Sequence, residues 1–269
     1  MSIFEYTFFQ NALLGSLLAS IVCGFVGTYI VSRRLVFISG GITHASFGGI
    51  GLGVYFGLNP IVTAMAYAVL SAFGVQWMSR HVRVREDSAI ALFWTFGMSV
   101  GILCSFLTPG FMPDLPSFLF GSILTVGTSD LVLLAAVAVV VAVVFTVLYS
   151  TIVSIAFDPT FARSQRLPVD AVEYLMMALI AVTIVSTLRL VGIVLAISLL
   201  TVPQMTANLF TYDLRRIIAL SIVIGWVDCL VGLFISYWLY VASGASIIFA
   251  GIVIYALLRA IKAVFFKFS

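Results

Sequence analysis

Long apolar runs, separated by short clusters of charge, proline and glycine, dominate the sequence. They cover residues 7–31, 36–57, 60–78, 88–107, 129–150, 171–188, 190–209, 217–240 and 246–264. Each is near the roughly 20 residues that one helix needs to cross a bilayer. Interruptions such as Gly57-Leu58-Asn59-Pro60 have the chemistry of tight turns between antiparallel helices. The break at 189–192 is the faintest, so 171–209 reads either as two spans or as one kinked or re-entrant unit. Segment 108–128 carries too much Pro and Gly to span, and Pro116-Ser117 ahead of an apolar stretch predicts a short amphipathic helix on the outer interface. The pattern predicts an all-α, polytopic membrane protein of about 8–9 transmembrane helices, forming a single domain over 1–269.

Composition strengthens this reading. Hydrophobic residues fill 63% of the 269 positions and charged residues 9%, against about 25% charged in a soluble domain. Charge also orients the chain. Arg33 and Arg34, Arg80, Arg83 and Arg85, Arg163 and Arg166, Arg215 and Arg216, and Arg259, Lys262 and Lys267 fall on one side of a nine-span layout. Only Arg189 lies opposite, with Glu5, Asp114 and Asp130. The positive-inside rule then puts the N-terminus outside and the C-terminus in the cytosol. The net charge of +3 is spread between spans and does not suggest nucleic acid. Cys23, Cys104 and Cys229 sit singly in apolar runs and read as small buried hydrophobes. With no G-x-x-x-x-G-K-[ST] and no lysine before Lys262, the chain has no P-loop for ATP. Active transport through it needs energy from a partner or an ion gradient.

Two residues within spans carry candidate chemistry. His44, in Gly40-Gly41-Ile42-Thr43-His44, shares a helical face with Gly40, Gly41, Phe47, Gly48 and Gly51. That face lets a second backbone or a small ion approach closely. Ionisable groups at membrane depth are functional by default, and neutral imidazole suits Zn, Mn or Fe ions. Metal ligand and helix-packing residue both remain open for His44. Gly49, Gly53 and Gly57 form a second ridge of the kind that packs helices closely. Asp228 lies near the middle of the eighth span, where it is a metal ligand, a partner of Arg189 or a protonated structural acid.

Two segments on the basic side look like docking surfaces or interfacial anchors. In the first, Asp158 is a good N-cap, Pro159 suits the first helical position, and the helix stops before Pro168. Its candidates are Asp158, Phe161 and Arg163. The second, Thr201–Arg216, offers Pro203, Gln204, Asn208, Asp213, Arg215 and Arg216.

These segments resemble, in order, the motifs of the zinc, manganese and iron ABC importer permeases. GGITHASFGGIGLG is similar to their second-helix pattern G-D-x-x-S-H-A-x-x-P-G, and AFDPTFARSQRLPV to D-P-E-F-A-x-x-x-G. VGIVLAISLLTVPQMTANLFT and ISYWLYVASGASIIFAGI are similar to their last two conserved segments. The resemblance implies an importer fold shared with cobalamin and siderophore permeases. It implies a homodimer in a bacterial cell membrane, working with an ABC ATPase subunit that binds ATP and an extracytoplasmic metal-binding protein. The divalent metal ion would be cargo, with no cofactor bound permanently and no enzymatic activity in this subunit. By resemblance His44 lines the metal path and Val202–Arg216 contacts the ATPase. Gly40 stands where the family commonly has an aspartate, and Tyr240-Val241-Ala242 replaces D-x-P. Readings that compete are a metal-chelate permease, a gradient-driven secondary carrier and a membrane anchor for an enzyme complex.

Overall fold

The computed structural model describes residues 7–82, 84–109 and 126–265, with backbone alone at 189, 190 and 265. The amphipathic helix expected around 116–124 falls outside the described residues. The described helices are α1 (Thr7–Ser32), α2 (Val36–Tyr55), α3 (Pro60–His81), α4 (Glu86–Leu107), α5 (Thr128–Val147), α6 (Tyr149–Phe157), α7 (Pro159–Ser164), α8 (Val169–Leu199), α9 (Val202–Ala207), α10 (Leu214–Leu239) and α11 (Ser243–Phe265). Seven of them are long and apolar enough to cross a membrane. The 20-residue α2 also has the length, although its glycines and His44 lower its hydropathy.

The expected span 190–209 departs from a simple helix. Gly192, at φ 74° and ψ 173°, breaks α8 where the weak 189–192 interruption lies, in backbone space that only glycine enters cheaply. The returning chain continues through the end of α8, bends at Thr201 and forms the six-residue α9. Among the described residues, eight helices of full length and one broken return pass result. A second break, at Leu148 (φ −100°, ψ 15°), divides a rod that the hydrophobic pattern ends at 150 but the structure carries on to Phe157.

Helix ends follow local chemistry. Asn59 caps α3 by accepting from the Ile61 N–H at 3.0 Å, with Pro60 at the first turn and Gly57 supplying a positive φ of 67° before it. Asp158 caps α7 through the Thr160 and Phe161 N–H groups, both at 2.9 Å.

Packing organises around α1, which touches α5, α8 and α10, while α2 is clasped by α3 and α4. Helices α2 and α4 run parallel in near backbone contact. A Cβ at Gly48 would meet the Gly97 carbonyl oxygen at 2.7 Å, and one at Gly51 the Gly101 oxygen at 2.6 Å. Small residues permit this approach in a medium where apolar burial gives helices no reason to associate.

Polar contacts fix which ends share a face. Arg33, after α1, donates to the Ile155 carbonyl at 3.1 Å and to Glu173 at 2.8 Å. Arg80, ending α3, pairs with Glu173 and with Asp170. Arg215 lies over the Tyr149 ring, 4.6 Å from its centroid, and Lys262 donates to the Leu209 carbonyl. The ends of α1, α3, α6, α9 and α11 thus share one face.

Candidate functional site

His44 stands on the half-open face of α2. Its imidazole stacks on the indole of Trp94 from α4, centroids 4.5 Å apart and planes 6° apart. Nδ1 is enclosed and has no hydrogen-bond partner. A parallel α2–α4 pair explains the stack, since it brings the middle of both helices to one level. Trp94 was not among the candidates read from sequence; nothing in its own neighbourhood marks it, and only the α2–α4 pairing puts it beside His44.

The four glycines grouped with His44 separate into two kinds. Gly41, Gly48 and Gly51 are buried against Ile90, Gly97 and Gly101 of α4 and form its contact surface. Gly40 is half-buried, and a Cβ there would find only the Ile197 methyl at 3.8 Å. Of the four, Gly40 alone stands beside open space.

Asp228 lies deep in α10 with 2% exposure, and its Oδ1 has no partner. Its other carboxylate oxygen faces Gly251 of α11, where a Cβ would approach to 3.0 Å, and Val202 borders the same spot. The structure does not join Asp228 to His44: α2 packs with α3, α4 and α8, whereas α10 packs with α1, α9 and α11. Pairing with Arg189 involves a side chain outside the described ones. No group of three or more His, Cys, Asp or Glu able to hold a metal occurs among the described residues.

The two docking segments also look different in three dimensions. Pro203 and Gln204 are buried, which removes them from any surface a partner could reach. The Gln204 amide donates to the Cys23 carbonyl at 2.8 Å and to Leu199 at 3.2 Å. It thereby satisfies an acceptor that the end of α8 leaves free. Gly27 makes room for it, because a Cβ there would sit 2.5 Å from the Gln204 nitrogen. Pro203 and Gln204 form the internal joint of a broken helix. Asp213, which caps α10, and Arg216, 3.6 Å from it, are exposed, and Asn208 is half-buried. Arg215 is exposed but turned onto Tyr149.

Phe161 and Arg163 lie on α7 and Asp158 caps it, all three exposed. Behind them is an ion network that sequence reading missed. Arg163 bonds Asp170 at 3.0 Å, Asp170 bonds Arg80 at 2.5 Å, and the buried Glu173 takes Arg33, Arg80 and Gln76. Asp170 and Glu173 one turn apart, and Arg163 seven positions before Asp170, are visible in the sequence, but Arg80 and Arg33 come from 90 and 140 positions away.

Comparisons with known proteins agree along almost the whole chain. A family model described as the ABC 3 transport family matches residues 5–262. An uncharacterized membrane protein of Synechocystis is 40% identical over 258 residues, covering 96% of this chain and 92% of that protein. The manganese transport system membrane protein MntC of Halalkalibacterium halodurans is 31% identical over 253 residues, covering 94% and 87%. Among solved structures, a chain of PsaBC from Streptococcus pneumoniae, in complex with Fab, superposes with a TM-score of 0.84 at 28% identity, covering 94% of this chain and 91% of that one.

Proposed function

The chain belongs to the ABC 3 transport family, and from that premise we propose that it carries divalent transition metal ions across a bacterial cell membrane as the permease subunit of an ABC importer. ATP is hydrolysed by a separate ATPase subunit, and metal arrives from an extracytoplasmic binding protein. Two copies of the permease enclose the path. The N-terminus is outside and the C-terminus cytosolic, so the face bearing Arg33, Arg80, Arg163 and Arg215 meets the ATPase. Zinc and iron suit imidazole; manganese, which prefers oxygen ligands, is still the first to test, because a relative at 31% identity is a manganese transport system membrane protein.

The observation that carries this reading is His44, an imidazole at membrane depth whose enclosed Nδ1 has no partner. Its Trp94 stack and the open space at Gly40 leave one side free for cargo. With one nitrogen ligand per subunit the ion is held weakly, as conduction requires. Asp228, set apart in α10, is a secondary candidate along the path. Docking on the ATPase rests on α7, through Asp158, Phe161 and Arg163, with Asn208, Asp213 and Arg216 beside it. The lack of a three-ligand cluster among the described residues also suits a metal chelate as cargo.

The test is accumulation of Mn(II), Zn(II) and Fe(II) in cells that lack the chain and carry His44→Ala. Lower uptake with the complex still assembled supports the path role. Wild-type uptake of all three would sink it.

A further inference from the structure

Helices α5 and α10 both pack on α1 but share no packed interface with each other. Between them lies a cleft of about 490 Å³ lined by Phe25, Phe145, Thr146, Tyr149, Arg215, Ile218, Ala219 and Ile222. Its size falls within the roughly 300–1,000 Å³ of small-molecule sites. The floor is apolar, with Phe25 and Phe145 in ring contact at 5.4 Å. The mouth is cationic: Arg215, the second residue of α10, is held over Tyr149. Arg216 is already matched with Asp213, whereas among the described residues Arg215 meets the Tyr149 ring and no acidic group. Thr146 and Ala219 on the rim are exposed, so the cleft opens sideways between two spans.

We infer that this cleft is a binding site for one anionic phospholipid, its acyl chain lying on Phe25, Phe145 and Ile222 and its phosphate on Arg215. Three features select that occupant over a soluble ligand. The walls are the sides of membrane-crossing helices, the floor offers hydrocarbon without hydrogen-bond groups, and the only charge stands at the helix end, where headgroups lie. Basic pockets between helices at this level take anionic headgroups. Planar guanidinium matches phosphate geometry and stacks on an aromatic face at the same time. Because Arg215 begins α10 directly after the 208–213 loop, the bound lipid would also pin that loop to the membrane.

The full complex, purified in mild detergent with phosphatidylglycerol or phosphatidylcholine supplied, can be weighed by native mass spectrometry. We expect one phosphatidylglycerol retained per permease subunit in preference to phosphatidylcholine. Arg215→Gln should weaken retention about fivefold, the weight of one arginine at an anionic surface. Ala219→Phe, which fills the cleft from its rim, should abolish it. Arg259→Gln removes a charge from the same face and should change nothing. Equal retention of both lipids, or retention unaffected by Arg215→Gln and Ala219→Phe, overturns the site. Loss of the ATPase or of the second permease copy in Ala219→Phe would show a protein occupant and overturn it as well. Competition by inorganic phosphate alone, with no lipid mass, would show an ion site and do the same. Should Ala219→Phe fail to assemble, the Arg215→Gln and Arg259→Gln pair decides.

Discussion

At the scale of single residues, the ring stack and the glycines make separable predictions. Stacking against an aromatic ring contributes about 0.5–1.5 kcal/mol beyond burial. Trp94→Ala should therefore let the His44 ring drift and raise the apparent KM for metal uptake about two- to tenfold. Trp94→Phe, which keeps a stacking face, should recover most of it; equal losses in both variants would argue for a purely structural tryptophan. Gly40→Asp should fold normally, since its Cβ has only the Ile197 methyl nearby at 3.8 Å. It should bind Mn(II) more tightly by equilibrium dialysis, with a carboxylate one turn from His44. Gly48→Ala is the opposite case, driving a methyl to 2.7 Å from a backbone oxygen. Overpacking of this kind costs about 1–3 kcal/mol and should appear as a lower unfolding temperature in detergent. His44 was legible in the sequence because a lone imidazole in an apolar run stands out. The division of labour among Gly40, Gly41, Gly48 and Gly51 was not, because one helical face looks uniform until its neighbours are known.

At the scale of elements, caps, turns and the weak 189–192 break were legible, and the contacts that hold the α8–α9 joint were not. Asp158-Pro159 and Asn59-Pro60 announce their helices because cap chemistry is local. The α8–α9 joint is tertiary: Gln204 is held by a carbonyl on α1, 181 positions away. Gln204→Leu keeps the volume but leaves the Leu199 carbonyl, which Pro203 cannot serve, without its donor. An unmet buried acceptor costs about 1–3 kcal/mol, so thermal stability in detergent should fall while the short α7 surface stays intact. The Glu173 network is joint-like too. It ties the ends of α1, α3 and α8, and through Asp170 and Arg163 it reaches α7. A partner docked on α7, as proposed above, would push on these helices through charged contacts. Glu173→Ala leaves two arginines facing each other across a mostly enclosed site, a change of about 3–5 kcal/mol where a buried pair is broken. Its expected signature is ATP hydrolysis in the assembled complex that no longer tracks metal uptake. Preserved coupling in a stable Glu173→Ala complex would remove the network from the transmission route.

At the scale of the whole molecule, the open question is how many times the chain crosses. Eight crossings would leave both termini on one side, nine would separate them, and the answer turns on the broken α8–α9 pass. Hydropathy alone is indecisive there, because Val191–Ala207 is apolar but short. The contacts favour nine. Arg215 reaches Tyr149, and Tyr149 is six residues up the same helix from Ile155, whose carbonyl receives Arg33. The residues after α9 therefore lie on the face of the α1 end, and Lys262 near the C-terminus joins Leu209 there. We propose from the basic asymmetry that this face is cytosolic. Single cysteines can test this directly, because Cys23, Cys104 and Cys229 are all buried and should stay silent to a membrane-impermeant thiol reagent. In intact cells, Leu58→Cys in the α2–α3 turn and Tyr240→Cys in the α10–α11 turn, 57% and 93% exposed, should label. Phe157→Cys and Tyr212→Cys, 69% and 87% exposed, should label only after the membrane is opened. Tyr212 is the deciding position, because it follows the broken pass. Labelling of Tyr212→Cys from outside, with Phe157→Cys still protected, would mean that the pass turns back without crossing, leaving eight spans and a basic 215–216 pair on the wrong side of the charge rule.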